Sequence, residues 1–460
     1  MLSRLGPALA RGDVNQDGLE DVFIGGAKGQ PAALFLQQAD GFFKEAPLDA
    51  FVEHQDYEDV EALFFDVDQD GDLDLYVVSG GNAEEGESPA YQDRVYVNGG
   101  FGRLAYAPEV LPEMPSSGST VAAHDFDGDG DLDLFVGGRV LSGRYPYAPR
   151  SYLLENRGGR FVDITAQASP ALVAPGMITD ALWQDLDGDG SAELVLAGEW
   201  MPLRVFKHDE DGTFTEITER VGLAKTHGWW NTLLARDLDG DGDIDLVAGN
   251  RGLNTHLRAT DTEPASIDAA DFDRNGAVDA VISYWIQGRS YPVVWRDELL
   301  GQVPELVRSF PTYASYANAT LEDVLTPAQR DEALHLDAYE AATRLFENLG
   351  DGTFRVRPLP LDAQVAPVNV VLSEDFDGDG ITDLLLAGNN FGVRAQWGRD
   401  DAGQGVLLLG KGGLDFEAAS ASRSGFYAPG DVRKMILVRT RAGLLVVVAN
   451  NDEAITTFAF

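Results

Sequence analysis

The stretch Asp125-Phe-Asp-Gly-Asp-Gly-Asp-Leu-Asp133, followed at once by Leu134-Phe-Val136, decides how this chain folds. Oxygen-bearing side chains fall at loop positions one, three, five and nine, and Gly130 at position six permits the tight bend that wraps a loop around a hard cation, for which Ca²⁺ is the best fit. Six further copies occur. The loops use Asp13, Asn15, Asp17 and Asp21; Asp66, Asp68, Asp70 and Asp74; Asp125, Asp127, Asp129 and Asp133; Asp185, Asp187, Asp189 and Glu193; Asp237, Asp239, Asp241 and Asp245; Asp271, Asp273, Asn275 and Asp279; and Asp375, Asp377, Asp379 and Asp383. Position seven is Leu19, Asp72, Asp131, Ser191, Asp243, Ala277 or Ile381, a chemical scatter expected where only the backbone carbonyl ligates. About seven structural calcium ions are expected, because four side-chain ligands and a carbonyl leave little room for a substrate.

An EF-hand closes with an acid at position twelve between helices, whereas these loops close at position nine between strand-like flanks. Apolar runs such as Glu61–Phe65, Thr120–Ala123 and Asn231–Ala235 lead in, and Asp74–Val78, Glu193–Leu196 and Asp383–Leu386 lead out. Short, nearly continuous apolar runs bounded by turn residues read as buried strands, so each unit is a hairpin pinned at its turn. Third and fourth strands follow at Tyr152–Asn156 and Gly159–Val162, and at Leu203–Phe206 and Gly212–Thr215, joined by Asn-x-Gly and Asp-Gly turns.

The first Asp positions lie 53, 59, 60, 52, 34 and 104 residues apart, mostly the length of one four-stranded propeller blade. A last strand set without a loop, Asp431–Leu437, Leu444–Val448 and Ala454–Phe458, brings the expected count to eight blades, with seven as the alternative. The fold expected is all-β, one propeller domain over residues 1–460. In the irregular interval, residues 297–345 read as a helical insertion, with Leu299, Leu300, Val303, Leu306 and Val307, and later Leu334, Leu336, Ala341 and Leu345, at helical spacing. The insertion is expected to cap one side of the ring or to carry recognition.

The repeats resemble the FG-GAP and VCBS repeats of integrin α-subunit propellers and of cartilage-acidic-protein-like secreted proteins, over almost the whole chain. Gly249-Asn-Arg-Gly-Leu-Asn254, Ser290–Leu299 and Gly388-Asn-Asn390 are similar to bacterial members of the second group. The resemblance implies a secreted or surface-exposed calcium propeller that binds other macromolecules or glycans, with no catalytic residues to carry over. Fuller members carry a Cys-rich module or a second domain behind the propeller, and the stretch up to Phe460 is expected to hold the propeller alone.

Composition agrees with an extracellular calcium protein. The 76 acidic residues outnumber 34 basic ones and give a net charge of −42, which argues against nucleic-acid or anionic-membrane binding. With no cysteine there is no disulfide, thiolate metal site or Cys nucleophile. No membrane span is expected, and Met1-Leu-Ser-Arg-Leu-Gly6 lacks the apolar core of a secretory leader. An extracellular, cell-surface or periplasmic location is therefore inferred from calcium and resemblance alone.

Three other features have competing readings. Arg11-Gly12-Asp13 spells an integrin-recognition tripeptide, but Asp13 is already the first ligand of a loop. His227, Trp229 and Trp230 fit a carbohydrate platform or, more simply, inter-blade core. The functional alternative to a protein- or glycan-binding module is a carbohydrate-active enzyme of polysaccharide-lyase type, or a lectin. A lyase needs a base and a charge-neutralising group in one cleft, and His256, Arg251, Tyr284, Arg289 and Arg296 are the candidates near the insertion.

Overall fold

The acidic loops each terminate one strand and begin the next, and that local geometry repeats around a ring. The computed structural model describes residues 5–393 and 398–460; the leader reading at Met1–Arg4 lies outside them. Among the described residues there are eight antiparallel sheets, six of them with four strands in simple or rearranged order. The first strands of seven sheets are Leu9–Gly12, Asp59–Phe65, Ser117–His124, Met177–Gln184, Thr232–Arg236, Val368–Glu374 and Val432–Thr440. Each packs beside the next, and the last packs beside the first. We number the seven sheets as blades one to seven in that order.

The apolar runs are continuous because every blade is covered on both sides. Successive side chains on a strand point to opposite faces. In blade three, Leu134 and Val136 pack with Tyr76 and Val78 of blade two, whereas Phe135 packs with Leu194 and Leu196 of blade four. The second strands are accordingly buried from end to end, as in Asp74–Ser79 and Asp133–Val140. Leu9 and Val22 of blade one pack against Val438 and Val447 of blade seven, closing the ring through side chains. Gln37 Nε2 reinforces that seam by donating to the Arg439 carbonyl at 3.2 Å.

The eighth sheet stands outside this order. It is built from Ala265–Ala270, Asp279–Ile286, Arg289–Pro292 and Leu334–Ala338 and carries the Asp271 loop. The chain leaves blade five after Asp245–Gly249 and returns as Arg344–Asn348, which pairs Leu246 with Phe346. Counting the Asp271 unit as a blade led to the expectation of eight. The strand contacts bring seven inner strands side by side, the terminal set among them, with this sheet as an excursion.

The helical reading of residues 297–345 needs correction at its end. Helices occupy Arg296–Gln302, Tyr313–Tyr316, Leu321–Val324 and Pro327–Glu332, the first three packed around Val294, Leu299 and Phe310. Leu334–Ala338 is instead an edge strand of the inserted sheet, and Arg344–Asn348 belongs to blade five. Leu334 and Leu336 fit a period of two as well as a helical one, and their pairing with Ala269 and Ile267 decides between the two. The inserted sheet is seated on the ring by Ala265, Ile267 and Ala338, which pack against Met177, Trp200 and Trp229.

Candidate functional site: the acidic loops and the central cavity

Each loop is folded by its own carboxylates before any ligand is considered. The position-one acid caps the bend: Asp125 Oδ2 accepts from Gly130 N at 3.1 Å, Asp185 Oδ2 from Gly190 N at 2.9 Å and Asp375 Oδ2 from Gly380 N at 2.9 Å. Gly130 and Gly190 sit at φ +98° and +91°, in the left-handed region that glycine enters without strain. Position three accepts from the amide of position five, and position five from that of position seven, as at Asp127–Asp129 and Asp129–Asp131.

The position-nine acid does more than the expected ligation. Asp133 is buried; its Oδ2 accepts from Phe126 N at 3.1 Å and its Oδ1 from Asn156 N at 2.8 Å, tying the loop to the third strand of the blade. The same pair of bonds recurs at Asp21, Asp74, Asp245 and Asp383. Burial is the main cause that pushes these carboxyls up, to about 6 at Asp21, Asp74 and Asp245 and about 7 at Asp133; the neighbouring loop acids add to it, and the backbone donors oppose it.

Several loops fit a divalent cation. Carboxylate oxygens of Asp66, Asp68 and Asp70 lie within 4.8 Å of one another, as do those of Asp125, Asp127 and Asp133, of Asp185, Asp187 and Glu193, of Asp237, Asp239 and Asp241, and of Asp271, Asp273 and Asp279. Buried Asp66 Oδ1 and Asp187 Oδ1, both at ligand positions, accept no hydrogen bond, which is costly for an anionic oxygen unless a cation takes its lone pairs. A bound Ca²⁺ would neutralise these clusters and join two strand ends.

The fourth loop is different because a cation from the chain already lies in it. Lys207 Nζ is 2.8 Å from Asp187 Oδ2, 2.7 Å from Asp189 Oδ2 and 3.0 Å from Glu193 Oε1. Burial opposes the charge, but these three hydrogen bonds outweigh it and hold the ammonium above its ordinary pKa. Blade four departs from the pattern in its sequence too. Its ninth loop position is Glu193, and His208 stands in register where blades two, three and five have Asn98, Asn156 and Asn348.

Those asparagines are functional residues that sequence reasoning read only as turn formers. Asn98 Nδ2 donates to the Val14 carbonyl at 2.9 Å, Asn156 Nδ2 to Val67 at 2.9 Å and Asn348 Nδ2 to Leu186 at 2.8 Å. Each acceptor is the second residue of an acidic loop in the preceding blade. One loop's fold is thus coupled to the next blade; the available signal was the Asn placed two residues before Gly after each third strand.

At the other end of the inner strands, around their first residues, lies a cavity of about 650 Å³. Val60, Ser119, Thr179 and Asn369 line it from the ring, and Ile282, Val294 and Gln302 from the insertion. Of the five lyase candidates, only Arg251 lines it, paired with Asp400 at 3.7 Å. Arg289 lies in the outer strand of the inserted sheet, and Arg296 is bound to Asp297 and the Phe310 carbonyl. Both tryptophans take the core reading. Trp230 is fully buried between blades four and five, and Trp229 is buried with Trp200 against the inserted sheet, at the edge of the cavity. Arg11 pairs with Glu20 at 3.0 Å and Asp13 folds its loop, so the tripeptide is internally engaged.

Three stretches, residues 13–77, 66–136 and 185–248, match the FG-GAP-like repeat. Cartilage acidic protein 1 of Homo sapiens is 27% identical over 213 residues, which is 45% of this chain and 30% of that protein. The match thus spans under a third of the relative's length. Among solved structures, the V. cholerae biofilm matrix protein Bap1 is similar with a TM-score of 0.41 and 12% identity, covering 98% of this chain and 85% of that one. BBS1N, solved in complex with ARL6DN, gives a TM-score of 0.43 at 10% identity over 99% and 92%, and the Dos1 propeller 0.42 at 9% over 99% and 92%. The chain is a propeller carrying FG-GAP-like repeats. Among the described residues no helix is long and apolar enough to cross a membrane.

Proposed function

We propose that the chain is a noncatalytic, calcium-stabilised propeller that acts outside the cytosol as a binding or adhesion module for a protein or glycan. The division of the ring into two ends supports this reading. Acidic loops gather where the inner strands finish, and calcium there holds the blades together; a cavity roofed by the inserted sheet opens where the same strands start. Extracellular calcium concentrations fill loops of this kind, which supports a location at a cell surface, in the periplasm or in the medium. Residues 1–460 form one domain, with the insertion as part of it. The ions occupy the loops whose carboxylates hold no protein cation, which sets the fourth loop apart.

The test is to probe the full chain against immobilised glycans and extracellular matrix proteins, in calcium and in EDTA. Binding that appears only with calcium supports the module. Binding that is equal in EDTA, or absent from both sets, rejects it.

A further inference from the structure

Among the described residues, blade seven is the one blade of the ring with three strands, Val432–Thr440, Gly443–Asn450 and Thr456–Ala459, so the place of an outer strand lies open beyond Thr456–Ala459. The pairing on the inner side fixes which backbone groups face outward. Phe460 N donates to the Leu444 carbonyl at 2.9 Å, and Leu444 N donates to the Phe460 carbonyl at 3.3 Å. Inward and outward groups alternate along an antiparallel strand, so Phe458 and Thr456 also bond inward, opposite Val446 and Val448. Thr457 and Ala459 therefore turn their N–H and C=O groups away from the ring. Thr456, Thr457 and Ala459 are exposed, and Phe458 is half-buried.

A row of outward backbone groups accepts another strand, and proteins blunt such edges with charge, proline or shortness. The other outer strands of the ring carry those devices. Lys44 and Glu45 supply charge in blade one, Asp163 in blade three, Glu216 in blade four and Glu417 in blade six; blade five has Pro358, and the strand of blade two, Leu104–Tyr106, is only three residues long. Thr456-Thr-Phe-Ala459 has neither charge nor proline. That neutrality selects the occupant. In a chain of net charge −42, a second copy is repelled wherever acids face acids, and an uncharged edge is where two copies meet without that cost. Run against itself about a twofold axis at Phe458, the strand sets Thr457 opposite Ala459 of the other copy and Phe458 opposite its own counterpart. Asp452 and Glu453 precede the strand and fall outside the paired stretch. Aromatic side chains directly opposite one another stabilise a strand pair, and Phe458 is already held edge to face by Phe426 at 4.8 Å.

We propose that two copies of this chain pair antiparallel through Thr456–Ala459, joining their seventh blades into one continuous sheet. Each Thr457 exchanges backbone hydrogen bonds with Ala459 of the other copy, and the shared axis makes the contact self-complementary. Antiparallel pairing inverts one ring relative to the other. The cavity ends of the pair then face opposite ways, a form in which a binding module bridges two surfaces. The dimer goes beyond the binding-module reading and does not depend on it.

The experiment is sedimentation equilibrium of the calcium-saturated full chain from about 1 to about 200 μM, a span suited to the weak association of a small interface. A concentration-dependent monomer–dimer equilibrium is expected. Thr457→Pro removes an outward N–H that the inner strand does not use and sets a ring against the incoming strand. It is expected to weaken association by about tenfold or more while leaving the melting temperature at the dilute end unchanged. Thr457→Lys, the charge device of the other blades, serves if the proline variant fails to fold. Monomer at every concentration overturns the proposal, as does a dimer that the folded variants retain in full. Hydrogen exchange in such a monomer identifies what takes the edge instead: protected Thr457 and Ala459 amides assign it to a segment of the same chain, and freely exchanging ones leave it to a strand of a different protein. Failure of calcium-dependent glycan or protein binding would reject the module and leave the dimer standing.

Discussion

Lys207 Nζ lies 3.0 Å from Glu193 Oε1, so the acid that closes the fourth loop is bonded to an ammonium from the same blade. With Asp187 and Asp189 it surrounds that ammonium much as the other loops would surround a metal. The protein is therefore expected to hold one calcium fewer than it has acidic loops. Replacing Lys207 with Ala removes the competing charge and is expected to raise the bound calcium by one ion, read by metal analysis after equilibrium dialysis. An unchanged count in the variant would show that the ammonium does not block the loop.

The third loop offers the complementary measurement. Asp127 supports the Asp129 amide at 3.1 Å and contributes an oxygen to the cluster with Asp125 and Asp133. Asp127→Ala is expected to lower the calcium count by one. A site filled at a hundred times its dissociation constant contributes about 2.7 kcal/mol, so the variant should also lose about that much of its calcium-dependent stabilisation.

Acidity should act in opposite directions with and without metal. The carboxyls of Asp21, Asp74 and Asp245 are pushed up to about 6, and that of Asp133 to about 7, chiefly by burial. In the metal-free protein the folded state therefore holds these protons more tightly than the unfolded chain, and stability falls as pH rises from about 4 to about 7. Calcium needs the deprotonated groups, so its stabilisation grows over the same interval. Thermal melts from about pH 5 to about pH 7.5 are expected to fall in EDTA and to separate progressively from those in calcium.

Asn348 tests the coupling between blades. Its Nδ2 bonds the Leu186 carbonyl at 2.8 Å and the Ile244 carbonyl at 3.2 Å, and its backbone N–H donates to Asp245. Asn348→Ala leaves the buried Leu186 carbonyl without its side-chain donor and is expected to cost about 1–3 kcal/mol, read as a lower urea midpoint. A change below about 0.5 kcal/mol would mean that water replaces the bond.

The loops were legible residue by residue because their chemistry is local: acid spacing and one glycine define each bend, and apolar runs on both sides define the strands. Non-local pairing was not legible. Nothing near Leu246 announces that its partner is Phe346, so the Asp271 hairpin, locally like the others, was counted into the ring. Leu334 and Leu336 likewise fit two periods until a partner strand selects one. Lys207 and the three asparagines were missed for a related reason, since each acts on a loop or blade distant in sequence. The core placement of both Trp229 and Trp230 needed the positions of the neighbouring sheets.

Blade five is interrupted between its second and third strands, and that has a consequence for how the ring is assembled. During synthesis blades one to four can complete their sheets as they emerge. Blade five must wait with its outer half missing until the whole excursion from Gly249 to Arg344 has been made. Strands joined over so long a separation close slowly, because loop entropy is lost before the contacts that offset it are gained. The Val247 and Ala248 edge is open to foreign strands during that wait, so the passage through blade five is where a nascent chain is most exposed to mispairing.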